Sequence, residues 1–162
     1  MAALAASVAV VAAQSPPPAA SLLNRTAPDF TRQDLSGHAV HLAGLRGKVV
    51  LLNFWATWCA PCQIEMPAFA AWQRQYGPQG LDVVGISMDD SAAEAQRVIR
   101  RLKIDYPVAM GDVHLGLRYG GVFGLPLTYL IDRNGVIRAR FQGVTDPNAI
   151  EKQVQALLSR SP

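Results

Sequence analysis

Asn53-Phe54-Trp55-Ala56-Thr57-Trp58-Cys59-Ala60-Pro61-Cys62 decides how the rest of the chain is read. The apolar run over 49–54 predicts a buried strand. It ends at a Cys-Ala-Pro-Cys pair, and a segment with helical spacing follows at once. These are the only two cysteines in the 162 residues. A bridge closing so short a loop restricts the unfolded chain little, so a structural staple is a poor account of them and a reactive pair is a good one.

At the junction between a strand and a helix, the first N–H groups of the helix have no partner and point at the sulfur of Cys59. The helix dipole also favours negative charge there. Both effects stabilise the thiolate, the reactive form of cysteine. Cys62 lies one turn on, within reach of a disulfide. Cys59 is therefore expected as the exposed nucleophile and Cys62 as the buried resolving thiol. Thiolate Cys59 attacks a disulfide, a mixed disulfide forms, and Cys62 releases the reduced target.

Other uses of the pair fit less well. A zinc site needs about four ligands; only His38, His41 and His114 accompany the cysteines, and no second Cys pair exists. Haem attachment wants His directly after the second Cys, where Gln63 stands. A buried inert pair runs against the aromatic and proline neighbours at a strand-to-helix junction. No metal is expected, and no cofactor beyond a redox-active Cys59–Cys62 disulfide.

Outward from this centre, residues 1–13 are almost all Ala, Val and Leu, uncharged and too short to span a bilayer. They read as a signal peptide or a truncated anchor, with a small-residue cleavage pattern at Val11-Ala12-Ala13. Residues 14–25 read as a Pro-rich linker. The folded domain is expected over 26–162. Half of the residues are hydrophobic and the formal net charge is only +3, so a single core is affordable and a polyelectrolyte is excluded. Arg97, Arg100, Arg101 and Lys103 cluster on a predicted amphipathic helix without aromatic interleaving. A solvated face explains them, and nucleic acid is not an expected partner.

Within the domain, 30–42 predicts a β-hairpin around Asp34-Leu35-Ser36-Gly37. Residues 63–76 predict a helix with Ile64, Phe69, Trp72 and Tyr76 as its apolar positions, Pro61 in its first turn and a kink at Pro67. A strand is expected at 81–88. A helix opened by the capping box Ser91-Ala92-Ala93-Glu94 is expected to run to about 103. A short extended piece at 106–108 and one or two helical turns at 112–119 follow. Next come a strand at 127–131, an Asn134-Gly135 hairpin turn, a partner strand at 136–141, and a final helix to 160 capped by Asp146. Strand, helix, strand, helix, hairpin, helix predicts an α/β sandwich with a mixed sheet.

The run 54–67, Phe-Trp-Ala-Thr-Trp-Cys-Ala-Pro-Cys-Gln-Ile-Glu-Met-Pro, resembles the active-site signature of the thioredoxin-like TlpA/ResA family. Gly124-Leu125-Pro126-Leu127-Thr128-Tyr129-Leu130-Ile131-Asp132 resembles that family's cis-proline loop, and Ala27-Pro28-Asp29-Phe30 its usual opening. The resemblance covers residues 26 to the end. It implies a thioredoxin-like sandwich, a mixed central sheet flanked by helices with an N-terminal β-hairpin extension. It also implies an exported or membrane-tethered, periplasmic or extracytoplasmic thiol–disulfide oxidoreductase. Such a protein reduces disulfide-bearing clients, apocytochrome c among them in cytochrome c maturation, with electrons from a membrane thiol reductase; a monomer is expected.

By the same resemblance Pro126 is cis and faces the disulfide, and Leu125 offers its backbone to a substrate strand. Trp58 and Pro61 join them as substrate-facing residues, although a half-buried core aromatic accounts for Trp58 equally well. Glu65, three residues after Cys62 on one helical face, becomes the proton handler for the buried thiol. Asn53 stands where thioredoxin itself typically has a buried Asp, and Leu127 where the cytochrome-maturation subgroup often has Glu. Two alternatives stay open. A peroxiredoxin-like thiol peroxidase shares the sheet and opening, but its signature needs Thr or Ser where Ala56 stands. A non-catalytic thiol- or metal-binding module is the other.

Overall fold

In the computed structural model, which describes residues 22–160, every residue of the third strand is buried. That is what an uninterrupted apolar run at the middle of a two-sided sheet requires. The strands are β1 (Thr31–Gln33), β2 (Ala39–His41), β3 (Val49–Trp55), β4 (Leu81–Ser87), β5 (Val108–Met110), β6 (Leu127–Ile131) and β7 (Ile137–Gln142). The helices are α1 (Ala60–Tyr76), α2 (Ala92–Arg101), α3 (Val113–Arg118) and α4 (Pro147–Leu158). Five strands form one sheet in the order β5-β4-β3-β6-β7, and β1 and β2 form a separate hairpin. β3 runs parallel to β4 and β4 to β5; β6 is antiparallel to β3 and β7 to β6. This is the expected thioredoxin-like mixed α/β architecture with its hairpin extension.

The parallel β3-α1-β4-α2-β5 path places both crossover helices on one face, since such connections are right-handed. Apolar positions of α1, α2 and α4 share a cluster there with Val49, Leu51, Trp55 and Val83. Leu115 and Tyr119 from the α3 region cover the other face, with Phe30, Val40 and Leu42 from the N-terminal segment. Gly85 sits opposite Asn53 in the β3–β4 register. A Cβ on it would come within 3.1 Å of Val108, 3.3 Å of Tyr106 and 3.4 Å of Trp55. Glycine makes the room that these side chains fill.

Element boundaries follow local chemistry. α1 starts at Ala60, three residues before the predicted helix, because Cys59 caps it and Pro61 sits in its first turn. It continues through Pro67 to Tyr76. Phe69, Trp72 and Tyr76 are buried as expected, whereas Ile64 is 80% exposed. Ser91 accepts the N–H of Glu94 and opens α2. α2 ends before Lys103, which turns left-handed (φ 54°) as Ile104 N–H returns to Ile99 O. Asp132 accepts the N–H groups of Asn134 and Val136, and Gly135 takes a φ of 75°, which gives the hairpin its tight turn.

The start of the chain seals the sheet. Asp34 bridges Ala109 and Leu35 N–H donates to Val108 O, covering the β5 edge. Thr26 bridges Val136, while Asn24 N–H donates to Ile137 O. Leu22 is buried, so residues 22–25, read as the end of the linker, pack on the domain. The leader over 1–13 and the linker up to residue 21 lie outside the described residues. Replacing Leu51 by Ala should cost about 2–5 kcal/mol of stability through the cavity left at the sheet centre. Removing the α2 cap with Ser91→Ala should cost about 1 kcal/mol. Urea denaturation of both variants measures the difference.

Candidate active site

β3 delivers the chain to a short loop, 56–59, whose geometry is fixed from outside. Both carboxylate oxygens of Asp89 accept from Thr57 N–H, at 3.0 and 2.9 Å, and one of them accepts from the Thr57 hydroxyl at 2.7 Å. The Ser87 hydroxyl donates to the same carboxylate at 2.7 Å. On the other side, the Gln63 amide donates to Thr57 O at 2.6 Å, and Arg101 donates to Gln63 in turn. Every hydrogen-bonding group of Thr57 is thereby used, two residues ahead of Cys59. Sequence reasoning missed Asp89, Ser87 and Gln63 as parts of this site. The two acidic residues after the β4 apolar run, Asp89 and Asp90, were its only local trace.

The loop ends in a disulfide. Cys59 and Cys62 are joined with an S–S distance of 2.05 Å and Cα atoms 5.4 Å apart. Cys59 is the N-cap of α1: its sulfur accepts the N–H of Cys62 at 3.3 Å. Cys62 is fully buried. Cys59 retains 4% of its surface. The expectation of an exposed Cys59 is therefore corrected to a residue almost covered. It shares a core cluster with Trp55, Ala56 and Met66, and Leu125 packs against that cluster. Trp58 stands at 72% exposure, so it is not a half-buried core aromatic. Ala56, three residues before Cys59, is buried and has no hydroxyl to offer a peroxide.

One turn along α1 from Cys62, Glu65 joins a buried polar triad. Asn53 Nδ2 donates to Glu65 Oε1 at 3.1 Å and to Thr128 Oγ1 at 3.0 Å. Asn53 and Thr128 face each other across β3 and β6. Glu65 is 7% exposed, one turn after Cys62 in α1. Burial pushes its carboxyl up to about 7, against the lowering effect of the Asn53 hydrogen bond. Glu65 also borders a cleft of about 200 Å³ with Pro61, Ile64, Val144, Thr145 and Pro147. Ile64 and Val144 stand exposed at its rim.

The Leu125–Pro126 bond is cis, and Pro126 O accepts Gly143 N–H at 2.8 Å. The β3–β6 ladder stops at Phe54 opposite Leu127, so Leu125 lies beyond it. His38, His41 and His114 are exposed and apart from the cysteines, with His41 paired to Asp29. Among the described residues no three His, Cys, Asp or Glu side chains gather where they could hold a metal ion, and no helix is long and apolar enough to cross a membrane.

The raised Glu65 carboxyl makes stability pH-dependent. Its folded value exceeds its unfolded value of about 4.5, so the folded state binds the proton more tightly. The stabilisation is complete below pH 4.5 and is lost as pH rises to about 7. The loss should be on the order of 3 kcal/mol. Urea titrations of the oxidised protein across this window should show the decline, and Glu65→Gln should remove it.

The AhpC/TSA family matches residues 23–140. The thiol-disulfide oxidoreductase ResA of Geobacillus kaustophilus is 33% identical over 132 residues, 82% of this chain and 76% of that protein. The thioredoxin-like protein YneN of Bacillus subtilis is 35% identical over 132 residues, 79% of this chain and 76% of that protein. The crystal structure of a putative thiol:disulfide interchange protein DsbE from Chlorobium tepidum superposes with a TM-score of 0.78 at 34% identity, covering 83% of this chain and 96% of that one. With a cysteine pair at bonding distance on this fold, the chain belongs to the AhpC/TSA family of thioredoxin-like proteins, among its ResA- and DsbE-like thiol–disulfide oxidoreductases.

Proposed function

We propose that this protein reduces disulfides of client proteins outside the cytoplasm, with Cys59 as attacking thiolate, Cys62 as resolving thiol and Glu65 as the base for Cys62. The supporting observation is the placement of the Cys59 sulfur as the N-cap of α1, with Cys62 bonded to it and wholly buried. A helix N-terminus stabilises the thiolate of Cys59. A buried Cys62 cannot be attacked from solvent and is free to act only within the molecule.

The electron bookkeeping is that of thiol–disulfide exchange. Cys59 thiolate attacks one sulfur of the client disulfide; the client S–S bond breaks, one client thiolate leaves and a Cys59–client disulfide forms. Glu65 carboxylate takes the Cys62 proton. Cys62 thiolate attacks the Cys59 sulfur, the Cys59–client bond breaks, and the second client thiolate departs. The client gains two electrons and the Cys59–Cys62 disulfide is restored. A membrane thiol reductase is the proposed donor that reduces it again. An apolar leader before the domain supports an extracytoplasmic place, and Ala60-Pro61 between the cysteines, with no His, supports the reducing direction.

The exposed apolar surface formed by Trp58 and by Ile64 and Val144 at the cleft rim supports a protein client. A client segment would lie extended beside the Leu125 backbone, over Pro126 and Pro61. Apocytochrome c is the proposed client class. Leu127 in place of the subgroup's Glu makes it the element to test first.

Cys62→Ser should accumulate a mixed disulfide on Cys59 in cells, and mass spectrometry of the trapped species identifies the client; Cys59→Ser should trap nothing. Glu65→Gln should slow resolution about 10²-fold at neutral pH. A reduction potential near the strong-oxidant end, about −120 mV, would overturn the reducing direction.

A further inference from the structure

Asn53 occupies the centre of the sheet, wholly buried, where an apolar side chain would pack without any polar debt. Both of its N–H donors are committed, one to Glu65 and one to Thr128. Its oxygen, equally buried, has no partner. Orphaned buried acceptors are uncommon and ask for a reason.

We propose that Asn53 is the positioning residue of the proton step: its side-chain amide holds the Glu65 carboxyl one turn from Cys62 in both of that carboxyl's protonation states. The inference rests on the reading of Glu65 as the base. An amide has two hydrogen-bonding edges of similar shape. With Nδ2 facing Glu65, it donates to the carboxylate. Turned over, Oδ1 accepts from the carboxylic acid O–H that exists after Glu65 has taken the Cys62 proton. Thr128 suits both orientations, because a hydroxyl accepts from Nδ2 or donates to Oδ1. The unpartnered Oδ1 is then the edge used in the second state. Aspartate at this position has no donor for an ionised Glu65, and an aliphatic residue serves neither state. Only the amide and a proton move; β3, α1 and β6 stay in place.

The surroundings leave little else to respond to pH. The other residues bordering the Glu65 cleft, Pro61, Ile64, Val144, Thr145 and Pro147, carry no charge. Tyr106, ahead of β5, senses the Glu65 charge, but burial first and that charge second push its phenol well above its ordinary value, so it stays neutral. The sulfurs of Cys59 and Cys62 are titratable in the reduced protein. In the oxidised protein they do not titrate.

The test is a stopped-flow reaction of the reduced protein with 5,5′-dithiobis(2-nitrobenzoate). The first thionitrobenzoate released reports attack by Cys59, and the second reports resolution by Cys62. In the unaltered protein the second phase should accelerate with pH through the Glu65 midpoint. Asn53→Ala should move that midpoint up by about one pH unit, because the amide's bond to the ionised carboxylate is charge-assisted and stronger than its bond to the neutral acid. The second phase should then slow about tenfold below the midpoint, with the first phase unchanged. In a Glu65→Gln background, Asn53→Ala should add nothing.

An unmoved midpoint, or equal slowing in the Glu65→Gln background, overturns the inference while leaving Glu65 as the base. A second phase that Glu65→Gln does not alter overturns that reading and this one together. Should Asn53→Ala not fold, the near-isosteric Asn53→Asp serves. Carbon-13 NMR of its oxidised form should show a carboxyl titrating above the Glu65 midpoint of the unaltered protein. In the unaltered oxidised protein the Asn53 side-chain amide resonances should titrate with Glu65. Resonances that stay fixed while Glu65 titrates overturn the two-state amide.

Discussion

A sulfur does the work of a helix cap in this structure, and the rest of the site is arranged around that substitution. Serine, threonine, aspartate and asparagine usually fill the N-cap because their oxygens accept well. The Cys59 sulfur, at 3.3 Å from Cys62 N, is a weak acceptor. The turn that leads into α1 therefore needs anchoring from outside. Asp89 and Gln63 supply it by taking both backbone groups of Thr57. On reduction the same position favours a thiolate, a far better acceptor than a disulfide sulfur. The capping requirement of the helix and the acidity of the nucleophile are one interaction.

Two buried carboxyl groups flank this turn, and their surroundings differ. Asp89 receives the Thr57 N–H, the Thr57 hydroxyl and the Ser87 hydroxyl, so its oxygens are saturated with donors. A carboxylate held in that way fixes geometry. Glu65 has one side-chain donor, Asn53, and burial governs its proton affinity. A carboxyl poised near neutrality is suited to moving a proton. The two stand at different places on the fold: Asp89 against the loop that leads to Cys59, Glu65 one turn after Cys62 in α1.

Features written in adjacent residues were legible in the sequence. The apolar run before Cys59, the Asn134-Gly135 turn, the caps Ser91 and Asp146, and the strand at 127–131 each depend on neighbours a few positions away. What depends on distant partners was not legible. Asn53 is 75 residues from Thr128, and Thr57 is 32 from Asp89, and nothing local says that either pair meets. Ile64 has the helical spacing of a core residue, yet faces outward because α1 turns its buried stripe through Cys62, Glu65, Met66 and Phe69. Cys59 is covered where an exposed sulfur was expected, and Trp58 takes the exposed rather than the half-buried of its two readings, for a related reason. The clamp on Thr57 sets the direction of the loop, and that direction turns the indole out and the sulfur in.

Sealing of the sheet edges also bears on how an extended client could approach. The β1–β2 hairpin bridges the β5 edge, and residues 24–27 bond to the start of β7. Further along β7, Arg138 and Arg140 place charge on the outer strand, a common means of discouraging edge pairing. Strand addition at either side of the sheet is thus opposed. Backbone beyond the β3–β6 ladder at Leu125 escapes these measures, and it packs against the cluster that contains both sulfurs. With both edges opposed in this way, the client docking proposed at Leu125 meets no competing pairing site on the outer strands.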